Sequence, residues 1–359
     1  MNKGLRRIIP FFLGPLAVCL LGFLIVPGQT PAAGQKVKTK VFLYDDYLMT
    51  ETGEIPLPKN AVEMVQTSVF AFQTHAEYPQ NLAQDPSGNV FVTVHDQKLI
   101  HKFNASGELL ADFRLGKKVQ RGGIGLSQIE VPGDQMAVLD DIRLRFLDPA
   151  GQIKDQWRIG PIHNFAVDRD GLVYATPVLS DKAWSLVEIF SAKGKSLGSF
   201  GKPLDLDYSL FRLNARILAF GQKGEIWVAF TYFPLLRKYS PQGDLLAEYR
   251  IDHPVLKGKE KMNLQMLEEG RQNKTQYGYA PLIQAIKAGE GKIYLLTYYP
   301  RLEILEMDEE GHLLTSFWRD YDNPINPRDF LVRGSAGHRE FFVLLAAPDW
   351  TIEVLEPKK

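Results

Sequence analysis

Ser106-Gly107-Glu108-Leu109-Leu110-Ala111-Asp112-Phe113-Arg114-Leu115 sets a glycine in a polar turn and brings an aromatic ring six residues later. The same offset recurs from Gly151 to Trp157, Gly194 to Phe200, Gly243 to Tyr249 and Gly311 to Phe317. A fixed offset repeated at intervals of several tens of residues marks one supersecondary unit used several times over. Within the quoted stretch Leu109, Ala111, Phe113 and Leu115 alternate with Leu110, Asp112 and Arg114. That is the period of a strand with one covered face.

Upstream of this strand lie three more. Asn81 to Asp85 reads as a short strand, Pro86-Ser87-Gly88-Asn89 as a tight turn, and Val90 to Val94 as a run that is apolar on both faces. Such a run suits a strand covered on both sides. Leu99 to Asn104 precedes the Gly107 turn, so the unit is a four-stranded antiparallel meander with a half-exposed outer strand. The same grammar repeats through Gly133 and Gly151, Gly171 and Gly194, Gly224 and Gly243, and Gly291 and Gly311. A last unit starts at Asp329, turns near Gly337, runs through Phe341 to Leu345 and reaches Thr351 to Leu355, one strand short. Ser68 to Phe72, ahead of the first unit, is a strand without a partner. Unpaired edges invite aggregation, and a ring of blades removes them by closing. The reading is therefore all-β: a six-bladed β-propeller of four-stranded antiparallel blades, closed where Ser68 to Phe72 completes the last blade, with Phe70 or Phe72 as its missing ring.

Two stretches depart from the unit. Lys202 to Asn214 is a long connection, and 253–281 is a longer insertion in which Met262, Met266 and Leu267 fall on one face of a short helix spanning Lys259 to Glu269. Long loops in a compact domain are commonly functional.

Asn81-Leu82-Ala83-Gln84-Asp85-Pro86-Ser87-Gly88-Asn89-Val90-Phe91-Val92 and Phe165-Ala166-Val167-Asp168-Arg169-Asp170-Gly171-Leu172-Val173-Tyr174 resemble the inner strand pairs of NHL-type six-bladed propellers. Asp140 falls where those repeats often carry an aspartate, whereas the Asn-Arg pair usual after it is missing or eroded. The resemblance covers roughly residues 65 to 356. It implies an architecture shared by binding modules, scaffolds, lyases and lactonases, so activity has to be argued from the site.

Composition narrows the classes. Lys plus Arg equals Asp plus Glu at 42 each, and Lys3, Arg6 and Arg7 are the only charges in the first 34 residues, leaving the remainder at −3. That balance offers no electrostatic footprint for nucleic acid. The single cysteine, Cys19, leaves the body of the chain without disulfides or thiolate metal ligands. Lys3, Arg6 and Arg7 precede an apolar run from Ile8 to Val26 and the small-residue stretch Thr30-Pro31-Ala32-Ala33-Gly34, the layout of an export signal. Counted whole, the run is also long enough to anchor the chain in a membrane. The expected organisation is 1–34 as signal or anchor, 35–64 as tether and 65–359 as propeller, in a periplasmic or extracellular protein whose membrane contact is confined to residues 8–26.

Propeller ligands gather at the channel mouth, on loops between second and third strands and between blades. Those loops hold His95-Asp96, Asp140-Asp141, Tyr232-Phe233, Tyr298-Tyr299 and Asp349-Trp350, with Trp184 nearby. Aromatic rings on rigid loops give large contact area at low entropic cost, which suits a peptide, glycan or protein partner. A second constellation lies at the start of the innermost strands: Asn81, Asn164 and Gln284, seven residues before their turn glycines, with His163 and Asp329 adjoining. Oxygens converging on an axis could hold a divalent cation such as Ca, and a histidine could favour Zn. By the same count Leu126, Ile217 and Phe330 are the equivalents in the other blades, and they are apolar. The sequence supports an exported binding module needing no cofactor, with a metal-dependent hydrolase or lyase at the channel mouth as the alternative. No Gly-x-Ser-x-Gly, P-loop, HExxH or dinucleotide fingerprint is present.

Overall fold

The structure, a computed structural model, describes residues 57, 59–71, 78–119, 125–179, 184–206, 213–273, 279–297, 301–323, 325–335, 338–346 and 350–358. The expected signal or anchor, most of the tether, and Phe72, Tyr298, Tyr299 and Asp349 lie outside the described residues. No helix among the described residues is long and apolar enough to cross a membrane.

The repeat grammar becomes sheets. β2 (Pro79–Gln84), β3 (Val90–Val94), β4 (Leu99–Phe103) and β5 (Leu109–Arg114) form a four-stranded antiparallel meander. The second sheet contains β6 (Leu126–Glu130), β7 (Met136–Asp140), β8 (Arg143–Leu147) and β9 (Ile153–Arg158). In the third are β10 (Ile162–Val167), β11 (Val173–Pro177), β12 (Val187–Phe190) and β13 (Ser196–Phe200), and in the fourth β14 (Arg216–Phe220), β15 (Ile226–Phe230), β16 (Leu235–Tyr239) and β17 (Leu245–Arg250). The second strands β3, β7, β11 and β15 are buried at every position, as their two-faced apolar sequences require. The outer strands β5, β9 and β17 alternate between exposed and half-buried residues.

The remaining strands join in one eight-stranded sheet rather than two separate blades. β18 (Ala285–Gly289), β19 (Lys292–Thr297), β20 (Leu302–Asp308) and β21 (Leu313–Arg319) form one meander, and β22 (Pro327–Ser335), β23 (His338–Leu345) and β24 (Thr351–Pro357) form another. Between them lies β1 (Ala61–Ala71). Its length is the reason for the fusion. Ala61 to Glu63 pair parallel with Ser316 to Trp318 of β21, while Met64 to Ala71 pair antiparallel with β24, with an irregularity between Gln66 and Ser68. The expected pairing of residues near Ser68 with Thr351 to Leu355 is present, with Phe70 opposite Ile352.

The glycine and the aromatic of the repeat meet across neighbouring sheets. A Cβ built on Gly151 would stand 2.1 Å from the Phe113 ring of the preceding sheet, one on Gly194 2.5 Å from Trp157, one on Gly243 2.7 Å from Phe200, and one on Gly311 2.1 Å from Tyr249. Phe70 of β1 completes the series against Gly107 at 2.4 Å. Gly151 also has φ +80°, a left-handed turn position, so conformation and space both exclude a side chain there. Phe317 instead rests on Phe341, ring centroids 4.9 Å apart.

The innermost strands β2, β6, β10, β14, β18 and β22 each contact the next, and β22 returns to β2 around a central channel. Helix α1 (Pro254–Asn273) occupies the long insertion and is longer at both ends than the Lys259 to Glu269 helix read from the sequence. Pro254 suits a first helical turn, where its missing N–H has no partner to lose, and the His253 carbonyl accepts the Lys257 N–H at 2.9 Å. Met262 and Met266 are buried as expected.

Candidate functional site

Four of the six innermost strands begin with a bulge. The register shifts between Pro79 and Asn81, Leu126 and Gln128, Ile162 and Asn164, and Pro327 and Asp329. Each extra residue re-aims the side chain that follows it. Consequently Asn81, Gln128, Asn164 and Asp329 occupy equivalent positions. The count back from the turn glycine, which selects Leu126 and Phe330, fails because the first turns differ in length. Gln128 is the residue the sequence reading missed, and Asp329 belongs in the ring rather than beside it.

These side chains reach the backbone of the next inner strand. Asp329 Oδ2 accepts the Leu82 N–H at 2.9 Å and the Asn81 amide at 2.5 Å. In turn, Asn81 Oδ1 accepts the Ile129 N–H at 2.9 Å. Gln128 is bidentate on Phe165, accepting its N–H at 3.0 Å and donating to its carbonyl at 2.6 Å. Asn164 Oδ1 accepts the Leu218 N–H at 2.9 Å. The series stops at Ile217, on a strand that pairs without a bulge. Gln284 lines the channel, and His163 is the bulged residue of β10.

The channel encloses about 280 Å³. Apolar Ala166, Ile217, Ala219, Phe220 and Ala288 line it together with charged Glu130, Lys287, Arg328 and Asp329. Lys287 Nζ lies 3.2 Å from Asp329 and 3.4 Å from the Leu82 carbonyl oxygen. Desolvation pushes the Glu130 carboxyl up to about 7, against the pull of Lys287 and with a further push from Asp329.

On the loop face the polar residues are ties. His95 Nε2 accepts the Gly125 N–H at 3.2 Å, and burial holds its ring below the usual imidazole range, consistent with a neutral acceptor. Asp96 is buried, with Gln97 Nε2 at 3.4 Å and Lys118 Nζ at 3.8 Å. Asp140, 2% exposed, bridges Lys98 at 2.7 Å on the preceding sheet and Arg145 at 2.5 Å on its own. Asp141 beside it is exposed, with φ +63°. The aromatics behave differently. Trp350 meets Tyr78 edge to face at 5.5 Å, and Tyr232 approaches Tyr279 at 6.4 Å. Tyr232 and Phe233 form a narrow cleft with Leu213 and Tyr279 on one side and Glu260, Asn263, Leu264 and Leu267 of α1 on the other. Leu264 is 50% exposed at this rim.

Two buried contacts hold α1 there. Asn263 accepts the Ala280 N–H and donates to the Ala280 carbonyl, both at 2.8 Å. Lys259, 2% exposed, reaches Thr297 Oγ1 at 3.3 Å. Burial pushes Lys259 down to about 7 and His253 down to about 4. His253 Nε2 lies 3.1 Å from Glu303 Oε2, and Arg301 lies 2.6 Å from the other carboxylate oxygen. Among the described residues no three His, Cys, Asp or Glu side chains are grouped to hold a metal ion.

No family model matches this sequence, and no curated protein does. Solved structures do. A streptogramin B lyase superposes with a TM-score of 0.52 at 12% identity, covering 82% of this chain and 88% of that one. A catalytically inactive virginiamycin B lyase from Staphylococcus aureus, determined with quinupristin, gives 0.51 at 11% identity over 81% and 88%. The selenomethionine form of that lyase gives 0.51 at 10% identity over 82% and 99%. At such identities the likeness is one of fold alone, and with the sheet topology it establishes that this chain is a β-propeller.

Proposed function

We propose that this chain is an exported, NHL-like six-bladed propeller that binds a peptide or protein partner on its loop face, centred on the cleft between the Tyr232-Phe233 loop and α1. The blade count rests on treating β18 to β21 as the fifth blade and β22, β23, β24 and β1 as the sixth, with the first residues of β1 stitching the two together. Export rests on the basic, apolar and small-residue order of the first 34 residues.

The observation that carries the binding reading is the cleft itself. Two aromatic rings on a short loop face an amphipathic helix pinned by buried polar contacts, and Leu264 stands half exposed at the edge. A mainly apolar cleft with half-exposed rings at its edge offers an apolar side chain a contact surface at little ordering penalty. A glycan would use the same rings by stacking. What weighs against a metal-dependent hydrolase or lyase at the channel mouth is that Asn81, Gln128, Asn164 and Asp329 already spend their oxygens on backbone N–H groups.

A photocrosslinker at position 264 of the full chain, expressed in its source cell, is expected to capture one partner. A crosslinker at Leu197 on the outer rim is expected not to. Tyr232→Ala with Phe233→Ala should abolish the crosslink. Equal capture from both positions, or capture unaffected by the double substitution, would overturn the assignment.

A further inference from the structure

Glu130 is a channel carboxyl that the hydrogen bonds between neighbouring inner strands do not use. It follows Gln128 by two residues on β6, so both project toward the same face of the strand. Among the described residues its hydrogen-bond contact is Gln128 Nε2 at 3.4 Å, and that amide makes its shorter bond, 2.6 Å, to the Phe165 carbonyl. The other carboxylate of the channel, Asp329, has Lys287, the Asn81 amide and the Leu82 N–H. Charged groups on the neighbouring elements are Lys287 of β18, turned to Asp329, and Arg328 and Asp329 of β22. Glu130 thus faces a cavity of about 280 Å³ without a cation in ion-pair contact among the described residues. The same cavity is also lined by the apolar side chains of Ala166, Ile217, Ala219 and Phe220.

We infer that the central channel is a ligand site for a small aliphatic primary amine, its ammonium held by Glu130 and its chain lying against Ile217, Ala219 and Phe220. A half-buried carboxylate lining a cavity is satisfied most completely by a cation that brings its own N–H donors. The alanines at positions 166, 219 and 288 supply the room that larger inner-strand residues would fill. An anion of the same size would meet two carboxylates, Glu130 and Asp329, with Lys287 already paired to Asp329. Binding requires the ionised carboxyl. With Glu130 held near 7, affinity is full at pH 8 and falls as the carboxyl protonates below neutrality.

The site lies apart from the rim cleft, so the inference stands or falls independently of the partner surface. The test is titration of the full chain with n-hexylamine by isothermal calorimetry at pH 8 and pH 5.5, with hexanoate as the anionic control. One saturable site at pH 8, weakened at least about tenfold at pH 5.5 and by Glu130→Gln, is the expected result. Ala219→Leu, which occupies the wall without touching charge, is expected to block binding in the same way. It keeps the test decisive should Glu130→Gln fail to fold. Absence of saturable hexylamine binding, equal binding of hexanoate, or indifference to both substitutions would overturn the proposal.

Discussion

The outer and inner rims of this propeller solve the same problem with opposite chemistry. Each must fasten one sheet to the next. At the outer rim an aromatic ring from one sheet lies over the turn glycine of its neighbour, five times with the same two elements. At the inner rim a side-chain oxygen accepts a backbone N–H of the neighbour, and the residue serving is Asn, Gln, Asn or Asp, with Ile217 breaking the series. A steric slot that excludes every side chain fixes the residue type. A hydrogen bond that several side chains can make does not. The apolar lock repeats faithfully, and the polar one drifts.

The largest expected effect breaks the outer rim where it is least redundant. Phe70 comes from β1, is 3% exposed, and packs with Phe103 at 6.0 Å and Phe342 at 5.7 Å while covering Gly107. Phe70→Ala removes a ring that joins the first sheet to the last, and about 3–5 kcal/mol of stability should go with it in urea denaturation. A loss below about 1 kcal/mol would mean that β1 lies on the ring without holding it. The next effect tests the other half of the lock. Gly151→Ala must accept φ +80° and a Cβ 2.1 Å from Phe113, whereas Gly133→Ala must accept only φ +68° with open space around it. The conformational term is about 1–2 kcal/mol for each, and crowding adds roughly 1–3 kcal/mol at Gly151 alone. Equal losses at the two glycines would show the ring contact to be incidental.

This contrast also explains what could be read from the sequence. Gly107 to Phe113 and its four copies announce the outer rim because nothing but glycine is tolerated, and the count of missing strands points to Phe70 or Phe72, of which Phe70 covers Gly107. The inner rim was half legible. The count from the turn glycine reaches Asn81 and Asn164, but a bulge adds a residue that no pattern marks, and in the second sheet the same count falls on Leu126 instead of Gln128. The Gln128-Ile129-Glu130 alternation was the available signal for both Gln128 and the channel carboxyl. The repeat marks the loops that carry His95, Asp96 and Asp140, yet their burial and ties depend on residues tens of positions away, such as Gly125 and Lys98. The cleft at Tyr232 was invisible for the same reason, since α1 and Tyr279 reach it only through the insertion.

The smallest expected effect separates a hydrogen-bonded inner rim from one built for metal. Asn81 donates to Asp329 Oδ2 and accepts from Ile129, so Asn81→Ala strands one N–H and removes one donor from a buried carboxylate. Roughly 1–3 kcal/mol should be lost in the same denaturation assay. Asn81→Asp keeps the acceptor for Ile129 and sets a second carboxylate against Asp329. Like charges at that range raise the pKa of one of the pair, so the folded variant holds more protons than the unfolded chain near neutrality. Its stability is therefore greatest below the unfolded carboxyl range and declines as pH rises through the raised value, a slope the unsubstituted chain lacks at this position. Calcium supplies the discriminating measurement. A rim whose oxygens serve backbone N–H groups should show the same melting temperature for the unsubstituted chain with and without added calcium. An increase in that melting temperature, enlarged further in Asn81→Asp, would mean that the oxygens converge on a cation and that the hydrogen bonds to Leu82 and Ile129 are what the rim does without one.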